Sequence, residues 1–154
     1  MTQFSTTRRV PHEAGQVLAI VADVGSYAEF MPLVRKAMVR NRREIEGGRR
    51  TFDAEVAIAF DRLGVSETLY SQVTVDMERG TVTALSEEGA VKSLKAVWTV
   101  TAEEAGTCTV QLSIDYVMRS RALHFLLSGL VDTVARRVMT AFEERAARLY
   151  STSN

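Results

Sequence analysis

Between residues 52 and 118 the hydrophobic pattern repeats every second residue, and after Ser120 it returns to the spacing of a helix. Phe52, Ala54, Val56, Ile58 and Phe60 alternate with Asp53, Glu55, Ala57 and Ala59. Leu69, Ser71, Val73 and Val75 alternate with Tyr70, Gln72 and Thr74. Leu94, Ala96, Trp98 and Val100 alternate with Lys95, Val97 and Thr99, and Cys108, Val110, Leu112, Ile114, Tyr116 and Met118 with Thr109, Gln111, Ser113 and Asp115. Side chains along a strand point alternately to its two faces, so each segment predicts a strand with one apolar face. Gly64, the turn before the short strand GTVTAL (80–85), and AEEAG after residue 101 punctuate them. Consecutive strands joined by short turns predict an antiparallel meander with one buried face.

The flanks complete the pattern. QFSTTRR (3–9) predicts a short edge strand, and Pro11 suits the first turn of a helix running to about Asp23, because the N–H it lacks has no partner there anyway. Gly25 breaks that helix, and a turn carrying Tyr27 and Phe30 ends at Pro32. Ser120 is a natural N-cap for a last helix running to about Tyr150, about 45 Å long. The order is therefore strand, helix, a run of about six strands, and one long helix. This predicts an α+β, helix-grip fold: a curved antiparallel β-sheet wrapped around a long C-terminal α-helix, with a hydrophobic cavity where the two layers do not close. A single domain over residues 1–150 is expected, with 151–154 as a disordered tail.

Composition narrows the function classes. A formal net charge of +0 argues against a general nucleic-acid binder, and no DNA partner is expected. Cys108 is the single cysteine, so no internal disulfide forms, and no Cys/His spacing suits a metal. No apolar run follows the charges of the first residues and none is long enough to span a bilayer, which predicts a cytoplasmic protein that can still lie peripheral to the inner membrane. Phosphate-binding glycine loops and nucleophile elbows are absent. Glu87–Glu88, Glu103–Glu104 and Glu143–Glu144 are adjacent pairs whose side chains diverge, which makes them poor acid/base dyads. His12 and His124 fall on different elements. No catalytic residue is predicted; an apolar inward face favours binding over bond-making.

Two surface features remain. In the last helix Leu123, Leu127, Leu130, Val131, Val134, Val138, Ala141 and Phe142 form one stripe, whereas Phe125 lies opposite with Leu126 on its flank. Those two are either lone exposed side chains or a membrane or partner contact. Gly129 interrupts this helix, either as a close approach or as a tolerated blemish. VRKAMVRNRREIEGGRR (34–50) sets Arg35, Lys36, Arg40, Arg42, Arg43, Arg49 and Arg50 against Glu44 and Glu46. It reads as a solvated hairpin or as a contact with anionic lipid headgroups or RNA phosphate, through Arg35, Lys36, Arg40, Arg42 and Arg43.

TTRRVPHEAGQVLAIVADVGSYAEFMPL (6–33) resembles the N-terminal motif of the coenzyme Q-binding proteins of the START-like superfamily, with Val10-Pro11, Asp23-Val24, and Tyr27, Phe30 and Pro32 in matching places. GAVKSLKAVWTV (89–100) is similar to the family's Gly-Pro-Phe-Lys-x-Leu…Trp-x-Phe stretch at Gly89, Lys92, Leu94 and Trp98; Ala90, Val91 and Val100 replace its Pro and two Phe. Residues 114–150 resemble its Asp-Tyr-x-x-x-Ser strand and Ala-Phe-Glu-x-Arg-Ala helix. Gln72 stands where the family often carries Arg.

The resemblance implies a START domain of the polyketide cyclase superfamily that binds ubiquinone or a related polyprenylquinone as its ligand, with no other cofactor. The implied role is a quinone chaperone or carrier for respiration and biosynthesis, without catalysis. Phe30 and the inward Phe52, Val56, Ile58, Leu69, Val73, Leu94, Trp98, Leu112, Ile114 and Tyr116 would line the pocket, under a roof of Leu127, Leu130, Val131 and Val134. Trp98 and Tyr116 would offer polar contacts to a quinone carbonyl. For each of these positions plain core is the stronger reading than direct ligand contact. Two alternatives stay open: bacterial relatives are ribosome-association toxins that block subunit joining, and polyketide aromatase/cyclases share the fold.

Overall fold

The structure is a computed structural model and describes residues 2–150. The expected tail, 151–154, lies outside the described residues. Strand β1 (Thr2–Val10) leads through α1 (Ala14–Ala22) and a 3₁₀ turn (Val24–Glu29) to six consecutive strands: β2 (Val34–Ile45), β3 (Arg49–Phe60), β4 (Val65–Asp76), β5 (Thr81–Ser86), β6 (Val91–Ala102) and β7 (Cys108–Met118). All pair antiparallel in the order β1-β7-β6-β5-β4-β3-β2. The chain thus crosses from one sheet edge to the other through α1, then returns by hairpins until β7 closes on β1. This is the helix-grip arrangement, with β1 at an edge as the sequence predicts.

The first helix starts three residues later than Pro11 suggests. The His12 N–H bonds back to the Val10 carbonyl at 2.9 Å, forming a tight turn that uses up the proline. Glu13 then takes the N-cap position without a side-chain capping bond; its carboxylate instead accepts the Gly106 N–H at 2.9 Å, tying the helix start to the β6–β7 hairpin. At the β5 hairpin Gly80 has φ +70, and a Cβ there would lie 2.4 Å from the Val100 carbonyl oxygen, so only glycine fits.

The expected single C-terminal helix is two: α2 (Arg121–Ser128) and α3 (Val131–Tyr150). Ser120 does cap α2, accepting the Leu123 N–H at 3.2 Å. The break falls at Gly129 and Leu130, where the Leu130 N–H turns back to the Leu127 carbonyl at 2.8 Å. Among the described residues nothing lies within 4 Å of a Cβ built on Gly129, so none of them makes a close approach there. Glycine's weak helix propensity, by about 1 kcal/mol against alanine, instead marks the joint.

The core is sealed by α1, the second half of α3 and the sheet. Val17 and Val21 of α1 pack with Val75, Cys108 and Val110 of the strands and with Met139, Phe142 and Ala146 of α3. The Phe142 ring lies 4.8 Å from Trp98, 5.6 Å from Tyr27 and 5.4 Å from Phe30, all edge-on, the favoured arrangement for aromatic rings. Tyr27 donates its hydroxyl to the Val21 carbonyl, and its burial, with Asp23 adding to the effect, pushes the phenol well above its ordinary range. Arg145 stacks over Phe30 at 5.0 Å while binding Glu29 at 3.1 Å.

Candidate functional site: an apolar cavity under the split helix

Toward the other end of the sheet the layers do not meet. A cavity of about 250 Å³ lies between the ends of β3, β4, β6 and β7 and the roof formed by α2 and the first half of α3. Of the residues the sequence assigns to a pocket, Ile58, Leu69, Leu94, Leu112, Ile114 and Tyr116 line its walls, and Leu127, Leu130, Val131 and Val134 its roof. No residue of α2 is buried, so its apolar face covers the void without packing into a core.

Five assignments are corrected. Trp98 is sealed against Phe142, and Phe30 belongs to the same aromatic cluster. Val73 is core, and Val56 packs half-buried against that core. Phe52, near the start of β3, lines a different hollow. All five share the inward face or the aromatic turn, but the closed half of α3 and α1 cover that part of the sheet. An inward strand position therefore faces either a helix or the void, according to where it lies along the strand.

The cavity also takes residues the sequence reading did not assign to it. Phe60 and Met118 continue the inward alternation, and Leu123 and Val138 the helix stripe. Val91 reaches the same face as Leu94 because β6 bulges between Val91 and Ser93. Glu67 lies in phase with Leu69 on β4 and joins the wall. Tyr116 lines the cavity too; its hydroxyl is buried and has no hydrogen-bond partner among the described residues. Glu67 and Tyr116 are the polar side chains in an otherwise aliphatic and aromatic lining that includes Phe60 and Met118.

The surface candidates separate into two places. Phe125 and Leu126 stand outward on α2, 77% and 48% exposed, beside the cavity roof. The basic residues lie on edge strand β2. Arg35 is ion-paired with Asp61, Lys36 is exposed, and Arg40 borders a hollow with Asn41, Asp53 and Tyr70. Arg42 and Arg43 join Arg50 in a groove of about 560 Å³ between β2–β3 and the α1–3₁₀ junction, with Asp23 and Glu44 alongside. A bulge between Arg40 and Arg43 brings both consecutive arginines to that groove; at it Asn41 takes φ +55 and donates to the Asp53 carboxylate at 2.7 Å. Groove and cavity lie toward opposite ends of β3, at Phe52 and Ile58, about 20 Å apart along the strand.

Among the described residues no helix is long and apolar enough to cross a membrane.

Residues 10–143 match the family model described as "Polyketide cyclase / dehydrase and lipid transport". The chain is 24% identical over 151 residues to the ribosome association toxin RatA of Escherichia coli K12, covering 98% of this chain and 90% of that one. It is 27% identical over 152 residues to the mitochondrial coenzyme Q-binding protein COQ10 homolog B of Xenopus laevis, covering 96% of this chain and 59% of that one. Its fold superposes on the Zhui aromatase/cyclase of Streptomyces sp. R1128 with a TM-score of 0.81 at 18% identity, over 99% and 98% of the two chains. That likeness corrects the expectation of a protein without catalysis: an aromatase/cyclase has this same architecture, so the fold does not set a binder apart from an enzyme.

Proposed function

This chain belongs to the polyketide cyclase/dehydrase and lipid transport family, and we propose that it binds a polyprenylated quinone of the ubiquinone type in the cavity under α2 and α3. The observation that supports this is the lining. A flat ring with a prenyl tail gains by leaving water for a wall of Leu, Ile, Val, Phe and Met, at roughly 25 cal/mol for each Å² buried. The cavity, about 250 Å³, is slightly smaller than the roughly 300–1,000 Å³ usual for small-molecule sites, so it suits a ring and the start of a tail. The remainder leaves past α2, which carries no buried residue and is jointed at Gly129. Phe125 and Leu126 on the outer side of α2 meet the bilayer surface from which the lipid is taken. The role is quinone carriage to respiratory and biosynthetic enzymes.

Organic extraction of the purified protein followed by mass spectrometry tests this. A stoichiometric prenylquinone is the expected result. An extract still empty after mild purification and quinone loading would remove the quinone reading.

A second reading, contact with ribosomal RNA, is favoured by the arginine groove. Arg42, Arg43 and Arg50 make no ion pair among the described residues and face a concave surface far from α2. If they bind phosphates, affinity for ribosomal subunits falls steeply with salt and with the double reversal Arg42→Glu, Arg43→Glu. Binding that ignores both leaves the groove a solvated surface.

A further inference from the structure

Resting on the lipid reading of the cavity, we propose that the Tyr116 hydroxyl is the ligand's polar anchor: it donates a hydrogen bond to a neutral oxygen on the ring of the bound lipid and sets which end of the molecule enters. Tyr116 lies on β7, paired across the sheet with Leu94, and is only 6% exposed. Its hydroxyl has no partner among the described residues. It shares the cavity lining with Leu94, Ile114, Met118 and Leu123, none of which can accept a hydrogen bond well, and Glu67, the other polar side chain of that lining, makes no hydrogen bond to it. The His124 ring on α2 stands 6.3 Å away between centroids and makes no hydrogen bond to it.

An orphaned buried hydroxyl opposes folding, and phenylalanine would fill the same space without that cost. The arrangement makes sense if the missing partner arrives with the ligand. A phenol donates well to a carbonyl or ether oxygen, and a quinone ring carries such oxygens. A hydrocarbon gives nothing in return. The site therefore selects an isoprenoid with an oxygenated ring over an isoprenoid hydrocarbon.

Ser86 supplies an internal control. It is the second buried hydroxyl without a partner among the described residues, it pairs with Leu94 from the other side on β5, and it does not line the cavity. If Tyr116 were merely a tolerated defect, the two hydroxyls would behave alike.

The test compares wild type, Tyr116→Phe and Ser86→Ala for Tm without ligand and for affinity toward two probes, a short-tailed ubiquinone and squalene. Tyr116→Phe is expected to keep or raise Tm, to weaken ubiquinone binding about tenfold, in line with the loss of one hydrogen bond, and to leave squalene binding unchanged. Ser86→Ala is expected to keep or raise Tm and to alter neither affinity. The proposal is overturned if Tyr116→Phe binds ubiquinone as wild type does, or loses both probes equally, as a packing role would give. A lower Tm for Tyr116→Phe also overturns it, because the hydroxyl would then have its partner inside the protein. If wild type binds neither probe, the lipid reading falls and takes this inference with it.

Discussion

The C-terminal helical segment meets the same sheet in two different ways. In its second half, Phe142 fills the space between layers and touches Trp98, Tyr27 and Phe30, while α1 packs from the side. In its first half, Leu127, Leu130, Val131 and Val134 stop short of the strands, and a void remains. Both halves are apolar toward the sheet. The difference is volume and support: one end has four aromatic rings and a second helix, the other has mostly aliphatic side chains, with Phe60 and Tyr116 in the wall, and the short α2, none of whose residues is buried. The closed end holds the fold, and the open end is left free to hold a ligand.

Removing the filler at the closed end should have the largest effect. Phe142→Ala leaves a hole that several elements share and is expected to cost about 3–5 kcal/mol, read as a lowered denaturation midpoint. Leu130→Ala, at the edge of an existing void, is expected to cost clearly less. Equal losses at the two positions would mean that the open end is packed core after all.

The converse change fills the open end. Val134→Phe places a ring in the cavity, as Phe142 does at the other end. It should reduce quinone binding at least about tenfold while changing stability by no more than about 1–2 kcal/mol, since the ring enters space that is vacant. Undiminished quinone binding would move the ligand elsewhere.

The smallest expected effect is at the joint. Gly129 has an ordinary negative φ and free space around its Cα, so Gly129→Ala should fit and stabilise by up to about 1 kcal/mol. If α2 must lift to admit the ligand, the same variant slows loading of the quinone without changing its final affinity. Unchanged loading kinetics would show that α2 is a fixed wall.

Much of this architecture is readable from residues alone. The alternation of Cys108 through Met118 and of Phe52 through Phe60 appears as β7 and β3 with the expected faces inward, because period two has one meaning once a face is buried. The Ser120 cap, the buried Cys108 and the outward Phe125 follow from equally local rules. The joint at Gly129 is less legible, since a glycine in an apolar helical run is compatible with continuation or with a break. The position of Val91 is hidden by the bulge that shifts its phase, and Glu67 sits in the inward phase where its charge argues for the outside.

The sequence by itself determined the order of elements, the inward face of each strand and the apolar stripe of the last helix. These depend on the geometry of neighbouring residues in the chain. Only the tertiary structure decided which inward residues touch one another and which surround a void. Trp98 and Leu94 have the same phase on the same strand, yet one is covered by Phe142 and the other faces the cavity. That distinction depends on where a helix distant in sequence comes to rest on the sheet, which is set by the sum of all contacts between the layers.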